Sequence, residues 1–455
     1  MQSTQNLLSI IQLKKYFPMP KNSLFQKDRP YLRANEEITF DIRKGETFGL
    51  VGESGCGKST FGRTLLQLYR PTSGETFYFG RTIAEFKPAY VKAYLKKASS
   101  YYAAAQNFDG DKLPIPLQKA ARFFGGLLAL PKEEFKECLR LLKEIYFVKN
   151  NRSTHTWYAQ TEKDKETEEK LNALKTPHLE EEKFCFFEDQ KKEGIDLSLL
   201  TPNELRFLRT DLQIIFQDPY SSLNPRMTVG QIVEEGVATH RYYKKGSPEM
   251  QKYVQTVVKQ CGLQEYMLQR YPHQFSGGQR QRVCIARALA VKPKFIVCDE
   301  CVSALDVSIQ SQILNLLTAL KEAEGLTYLF ISHDLSVVRY ISDRIGVMYL
   351  GQIVELGEAE EVFCNPRHPY TIALISAIPS IEGKEKEEKI MLEGNMPSPV
   401  SPPPGCKFHT RCFMAQECCQ RIPAPIVEVS KGHYVACHFA KKTTEEKRAL
   451  ARQKG

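Results

Sequence analysis

The chain has no run of apolar residues close to the roughly 18 that a helix needs to cross a bilayer. Its richest stretch, Phe124-Gly-Gly-Leu-Leu-Ala-Leu130, is far shorter. The opening, Met1-Gln-Ser-Thr-Gln, lacks the basic-then-apolar order of a secretory leader. These absences argue against an integral membrane protein or a secreted one and predict a protein of the cytosol. A strong field of one sign is also missing. The formal charge of +10 is spread over 455 residues and reads as a solvated basic surface, with attraction to anionic lipid or nucleotide as the sharper alternative. It gives no ground for a nucleic-acid partner.

Hydrophobic residues make up 42% and charged residues 25%, ordinary values for a globular protein of two or three domains. The 13 cysteines do not read as disulfides in a chain of this kind. Most are scattered singly and fit small core positions. Cys406, Cys412, Cys418, Cys419 and Cys437 crowd together near the end and need their own account.

Strands alternate with helices over much of the sequence. Thr47–Val51, Phe295–Cys298 and Leu326–Ile331 are short, continuous apolar runs, as expected of strands buried on both faces. Helical spacing covers Lys58–Leu68, Gln279–Ala290 and Ser308–Glu324. The alternation implies an α/β fold with a mostly parallel sheet. Residues 85–200 differ, being rich in Lys, Glu and Tyr and reading as several helices. Within them, Glu133–Val148 carries an apolar stripe of Phe135, Cys138, Leu139, Leu142 and Ile145. Thr161–Leu174 is almost wholly charged and reads as a solvated or partly disordered helix. A charged linker (Glu382–Lys389) and a proline-rich segment (Pro397–Pro404) lead into the cysteine cluster.

Gly52-Glu-Ser-Gly-Cys-Gly-Lys58-Ser59 follows one buried strand and opens a helix. Glycines at these places let backbone N–H groups curl round phosphates, Lys58 reaches them, and Ser59 offers a hydroxyl to Mg²⁺. Gly52, Ser54, Gly55, Cys56, Gly57, Lys58, Ser59 and Thr60 are therefore candidate nucleotide contacts. Phe295-Ile-Val-Cys-Asp299-Glu300 supplies acid at a strand end. Asp299 suits the Mg²⁺ shell and Glu300 a general base for water. Alone the run would equally fit a strand leaving a core; the phosphate loop upstream favours the catalytic reading. Phe275-Ser276-Gly277-Gly278-Gln279 opens another helix. It is either a second anion-binding end or a plain helix cap with Ser276 at the N-cap.

These segments, with Gln217 in Gln213-Ile-Ile-Phe-Gln-Asp-Pro219, Ser303-Ala-Leu-Asp306 and His333 in Ile331-Ser-His-Asp334, follow one another in an order that resembles the nucleotide-binding subunit of an ABC transporter. The resemblance implies an ABC-type P-loop NTPase core, a RecA-like sheet with a helical subdomain. It implies two such subunits sandwiching two ATP molecules. Ser276, Gly277, Gly278 and Gln279 would then meet nucleotide bound on the partner. Gln217 would sense Mg²⁺ and the attacking water, His333 would bond the γ-phosphate, and Asp306 would lie across the dimer interface. Phe17 matches the aromatic under adenine, with Tyr16 a competitor. Where the family usually has proline after the catalytic glutamate, this chain has Cys301, which removes stiffness but no reacting group.

Asp218-Pro-Tyr-Ser-Ser-Leu-Asn-Pro-Arg-Met-Thr228, Arg367-His-Pro-Tyr-Thr371 and Cys406-Lys-Phe-His-Thr-Arg-Cys412 are similar to oligopeptide and dipeptide importer ATPases, and most similar to their F-type. That implies a D-type ATPase partner, two membrane permeases, an extracellular peptide-binding protein acting indirectly, and a peripheral place on the cytoplasmic face of the membrane. Nickel or another small solute stays open as cargo.

Cys406-x5-Cys412-x6-Cys419-x17-Cys437, with Cys418 able to replace Cys419, offers four thiolates to zinc or to an iron–sulfur cluster. The gaps are longer than the usual zinc pairs and lean toward iron–sulfur; the resemblance implies a [4Fe–4S] cluster. The resulting division is 1–84, first part of the ATPase core; 85–200, an inserted helical segment; 201–378, core with the helical signature subdomain; and 379–455, linker and Cys-rich extension.

Overall fold

The computed structural model describes residues 5–21, 29–147, 162–378 and 389–452. It divides into two compact units, one of residues 1–76 with 208–455 and one of 77–207. Residues 382–388 of the expected linker lie outside the described residues.

The strands in chain order are β1 (Asn6–Pro18), β2 (Tyr31–Arg43), β3 (Thr47–Val51), β4 (Ser73–Tyr78), β5 (Ile195–Asp196) and β6 (Leu212–Ile215). They continue as β7 (Phe295–Asp299), β8 (Thr327–Ser332), β9 (Arg344–Tyr349), β10 (Gln352–Glu358), β11 (Ile426–Ser430) and β12 (His433–Ala436). In the larger unit β1 and β2 form an antiparallel pair. The main sheet has the order β11-β12-β10-β9-β3-β8-β7-β6. From β9 to β6 neighbours run parallel, and β10, β12 and β11 add an antiparallel edge. Every residue of β3, β7, β8 and β9 is buried, which is why these strands are continuous apolar runs. One core joins this sheet to the helices Val229–Thr239, Pro248–Gln260 and Gly277–Leu289 through Ile232, Val254, Val283 and Ile296.

The register decides where chemistry can sit. Val51 stands opposite Ser332, Asp299 opposite Ile331, and Ile215 opposite Cys298. The carboxyl ends of β3, β8, β7 and β6 are thus level, and in open α/β sheets ligands bind outside such an edge.

The unit of residues 77–207 is mainly helical and wider than the 85–200 segment expected. At one end Phe77 and Tyr78 pair with Asp196 and Ile195, and at the other the helix Pro202–Leu208 reaches its edge. Its core is aromatic, with Phe124, Phe135, Phe184 and Phe187 buried. In the helix Lys132–Tyr146 Leu141 is buried, and Leu139, half-buried, packs against the same core. One expectation needs correction. The charged helix Glu162–Lys175 is not fully solvated: Asp164, Thr167, Leu171 and Lys175 are buried along one side. Asp164 lies 3.7 Å from the buried Lys87 ammonium, and Lys175 3.7 Å from Glu188.

Candidate active site

The loop after β3 curls tightly against backbone from other parts of the chain. Gly57 takes φ 109° at the start of the helix Lys58–Leu65, and a Cβ there would lie 2.2 Å from the Ala34 carbonyl oxygen. Only glycine fits both demands. At Gly52 a Cβ would come within 2.2 Å of the Met348 carbonyl oxygen. The Lys58 ammonium is buried and donates to the carbonyls of Gly52 (2.7 Å) and Glu53 (3.0 Å). The carbonyl of Cys56 accepts from Gly351 N–H at 2.8 Å. Ser54 and Gly55 are exposed, so the loop's crest faces solvent, and Thr60 continues the helix.

Three strand ends, those of β7, β6 and β8, bring side chains to the edge where this loop sits. Ser59 Oγ donates to Asp299 Oδ1 at 2.6 Å. Gln217, just past β6, donates through Nε2 to Glu300 Oε2 at 2.9 Å. His333, just past β8, places Nδ1 3.4 Å from the same oxygen. Glu300 adopts φ +49°, unusual for a residue with a Cβ and common where function demands a turn. Its N–H donates to the Ile331 carbonyl and its carbonyl accepts from Ser303 Oγ. Cys301, behind it, is buried.

The other predicted contacts lie apart from this group. Ser276 caps the helix Gly277–Leu289, its Oγ accepting from Gln279 N–H while Gln279 Oε1 accepts from Ser276 N–H. Ser276 and Gly277 are exposed and Gly278 is packed under Ile309. Asp306 is an exposed N-cap position of the helix Val307–Glu324. On β1 the Phe17 ring meets Tyr69 edge-on at 5.4 Å with the Lys15 ammonium 4.7 Å above it. Tyr16 spends its hydroxyl on the Glu36 carboxylate.

Residues not foreseen also belong to the site. Arg63, one helical turn after Ser59 and so on the same face, pairs with Asp299 at 3.3 Å. Arg411 pairs with Glu53 of the loop at 2.9 Å. Neither had a local signal, because each partner comes from a distant part of the chain.

Comparison with known proteins decides the family. Residues 35–185 and 187–303 match the family described as ABC transporter. The chain belongs to the ABC transporter family. Residues 354–419 also match the oligopeptide/dipeptide transporter C-terminal region. The chain is 36% identical over 437 residues to the oligopeptide transport ATP-binding protein AppF of Bacillus subtilis, covering 96% of this chain and 98% of the relative. It is 36% identical over 434 residues to the oligopeptide transport ATP-binding protein OppF of Escherichia coli, covering 95% of each. With the dipeptide transport ATP-binding protein DppF of Haemophilus influenzae it shares 35% identity over 431 residues, covering 95% of this chain and 96% of the relative. Among the described residues no helix is long and apolar enough to cross a membrane.

In the C-terminal segment Cys406, Cys412, Cys419 and Cys437 line one small cavity together with Phe408 and Met414, whereas Cys418 is not in its wall. Among the described residues no three His, Cys, Asp or Glu side chains converge as ligands of a single metal ion. Burial pushes the Cys406 thiol up to about 11 and Cys412 up to about 12, and the neighbouring thiols add to both shifts. Met414 N–H and Phe439 N–H donate to the sulfurs of Cys412 and Cys437, each at 3.4 Å.

Proposed function

We propose that this chain is the ATP-hydrolysing subunit of an importer of oligopeptides or dipeptides, working on the cytoplasmic face of the membrane beside separate permease subunits. The observation that carries the reading is the 2.6 Å contact between Ser59 and Asp299. A phosphate loop and an acidic strand end that close can grip one Mg²⁺ between them. The cargo class is drawn from the relatives' names and the matched C-terminal region.

Hydrolysis by such a site is mostly positioning and electrostatics. Lys58 exchanges the carbonyls of Gly52 and Glu53 for phosphate oxygens when a triphosphate enters. Ser59, Asp299 and Gln217 are the residues that would hold Mg²⁺, which offsets phosphate charge when bound. Glu300 takes the proton of the attacking water; Gln217 and His333, both on its Oε2, fix its orientation. His333 then turns to the γ-phosphate. Gly52, Ser54, Gly55, Cys56, Gly57 and Thr60 cradle the phosphates, and Phe17 stacks on the base. Ser276, Gly277, Gly278 and Gln279 present a helix N-terminus to nucleotide held by a D-type sister chain, with Asp306 at that seam. Closure on ATP drives the permeases. The 77–207 unit is an accessory insertion with its own core and none of these groups.

We read the four thiols as ligands of a [4Fe–4S] cluster, with zinc the alternative. They line one small cavity with Phe408 and Met414, and two of them accept backbone N–H bonds. Cys406, Cys412, Cys419 and Cys437 would hold it. Its chemistry would be structural or regulatory, since nothing in phosphoryl transfer needs an electron.

Purified chain given ATP and Mg²⁺ should release phosphate, and pull-down from membranes should bring two permeases and a second ATPase. Phosphate release with no permease in the pull-down would move the chain to a non-transport role; binding without release would make it a regulatory subunit.

A further inference from the structure

Glu53 is the only carboxylate in the phosphate loop 52–59, and its side chain pairs with a residue far along the chain. Arg411 Nη1 lies 2.9 and 3.1 Å from its two carboxylate oxygens. The Arg411 side chain is 8% exposed and that of Glu53 28%, so the pair is partly shielded from solvent. The backbone N–H of Glu53 donates to the buried Tyr370 hydroxyl at 2.9 Å. The Glu53 carbonyl meanwhile accepts from the Lys58 ammonium. One residue thus ties the lysine that must greet the phosphates to the segment between Cys406 and Cys412.

That segment is itself anchored. Phe408 packs against Tyr370 at 5.4 Å and Tyr349 at 5.1 Å, and the Arg411 guanidinium sits 6.0 Å from the Tyr349 ring centroid. Phe408 also lines the cavity of the four thiols.

We propose that Arg411 is a positioning residue for the phosphate loop. By pairing with Glu53 it keeps the loop in its phosphate-accepting curl and cancels a negative charge that would otherwise repel the incoming triphosphate. The Cys406–Cys412 turn is therefore a working part of the nucleotide site and not an appendage. The proposal rests on the ATPase reading above.

Its test is direct ATP binding by the full-length chain in Mg²⁺, measured by calorimetry beside turnover. Arg411→Met should weaken ATP binding about tenfold, the scale of one partly screened unit charge near an anion, while kcat at saturating ATP changes little. Arg411→Lys should keep most of the affinity. Adding Glu53→Gln to Arg411→Met should recover most of the loss, because the stranded charge is gone. Unchanged affinity in Arg411→Met overturns the proposal. So does a loss that neither lysine nor Glu53→Gln repairs, since Arg411 would then only support the fold. If the wild-type chain itself binds no ATP, it is the ATPase reading that fails.

Discussion

Gln217 Nε2 donates to Glu300 Oε2 across 83 residues of sequence, and His333 Nδ1 sits 3.4 Å from that same oxygen. One carboxylate oxygen is thus held from the ends of β6 and β8, the strands on either side of β7. The left-handed φ of Glu300 follows from this, because a strand that ran straight on from Asp299 would carry the side chain past the loop.

Replacing the acid by its amide should separate binding from chemistry. Glu300→Gln keeps the shape and can still meet Gln217, but it cannot take a proton. Hydrolysis should fall by about 10²–10⁴-fold while ATP binding persists, and size-exclusion chromatography with ATP should show a trapped dimer or a complex with the sister chain. Near-normal turnover would remove Glu300 from the role of base.

Ser59→Ala deletes the hydroxyl 2.6 Å from Asp299. Asp299 keeps Arg63 as counter-ion, so stability should drop by only about 1 kcal/mol, the usual worth of one hydrogen bond. Binding of ATP in EDTA should be unaltered, whereas the gain on adding Mg²⁺ should largely vanish. A mutant as responsive to Mg²⁺ as the wild type would break the link between loop and metal.

Cys418 and Cys419 are neighbours with different surroundings: Cys419 is in the cavity wall and Cys418 is not. For anaerobically purified protein, absorbance near ~400 nm and iron content report a cluster directly. Cys419→Ser should abolish both and Cys418→Ser should leave both. The reverse pattern would reassign the ligand, signals kept in both mutants would remove both cysteines as ligands, and a wild-type protein with neither signal would dismiss the cluster.

Much of the larger unit is legible because its strands are buried on both faces, so β3, β7 and β8 leave unbroken apolar runs that no solvated element would show. The phosphate loop is legible for a related reason: Gly57 answers to a local backbone demand. Arg411 and Tyr370 are not, since each meets Glu53 from more than 300 residues away and an arginine before a cysteine looks like any surface charge. The helix Glu162–Lys175 misleads in the same manner. Composition makes it solvated, but Asp164 and Lys175 have cationic and anionic partners waiting in the fold.

The helical unit holds a pH-dependent clamp at His178. The ring is buried beside Phe184, with Nδ1 2.7 Å from Glu181 and Nε2 2.6 Å from Glu134. Hydrogen bonding to Glu181, then to Glu134, raises its pKa above the ordinary value. A histidine whose folded pKa exceeds its unfolded value of about 6.5 contributes stability that is complete below that value and fades as pH climbs through the folded one. Above that point the neutral ring can donate to one carboxylate only, and the two acids face each other unshielded. Amide exchange in the helices Lys132–Tyr146 and Glu182–Glu188, corrected for intrinsic rates, should therefore be slower at acidic than at alkaline pH. His178→Gln should flatten that difference and leave protection at its alkaline level. If wild-type protection held steady from acid to base, the clamp would be an ordinary neutral contact, with no charge to lose.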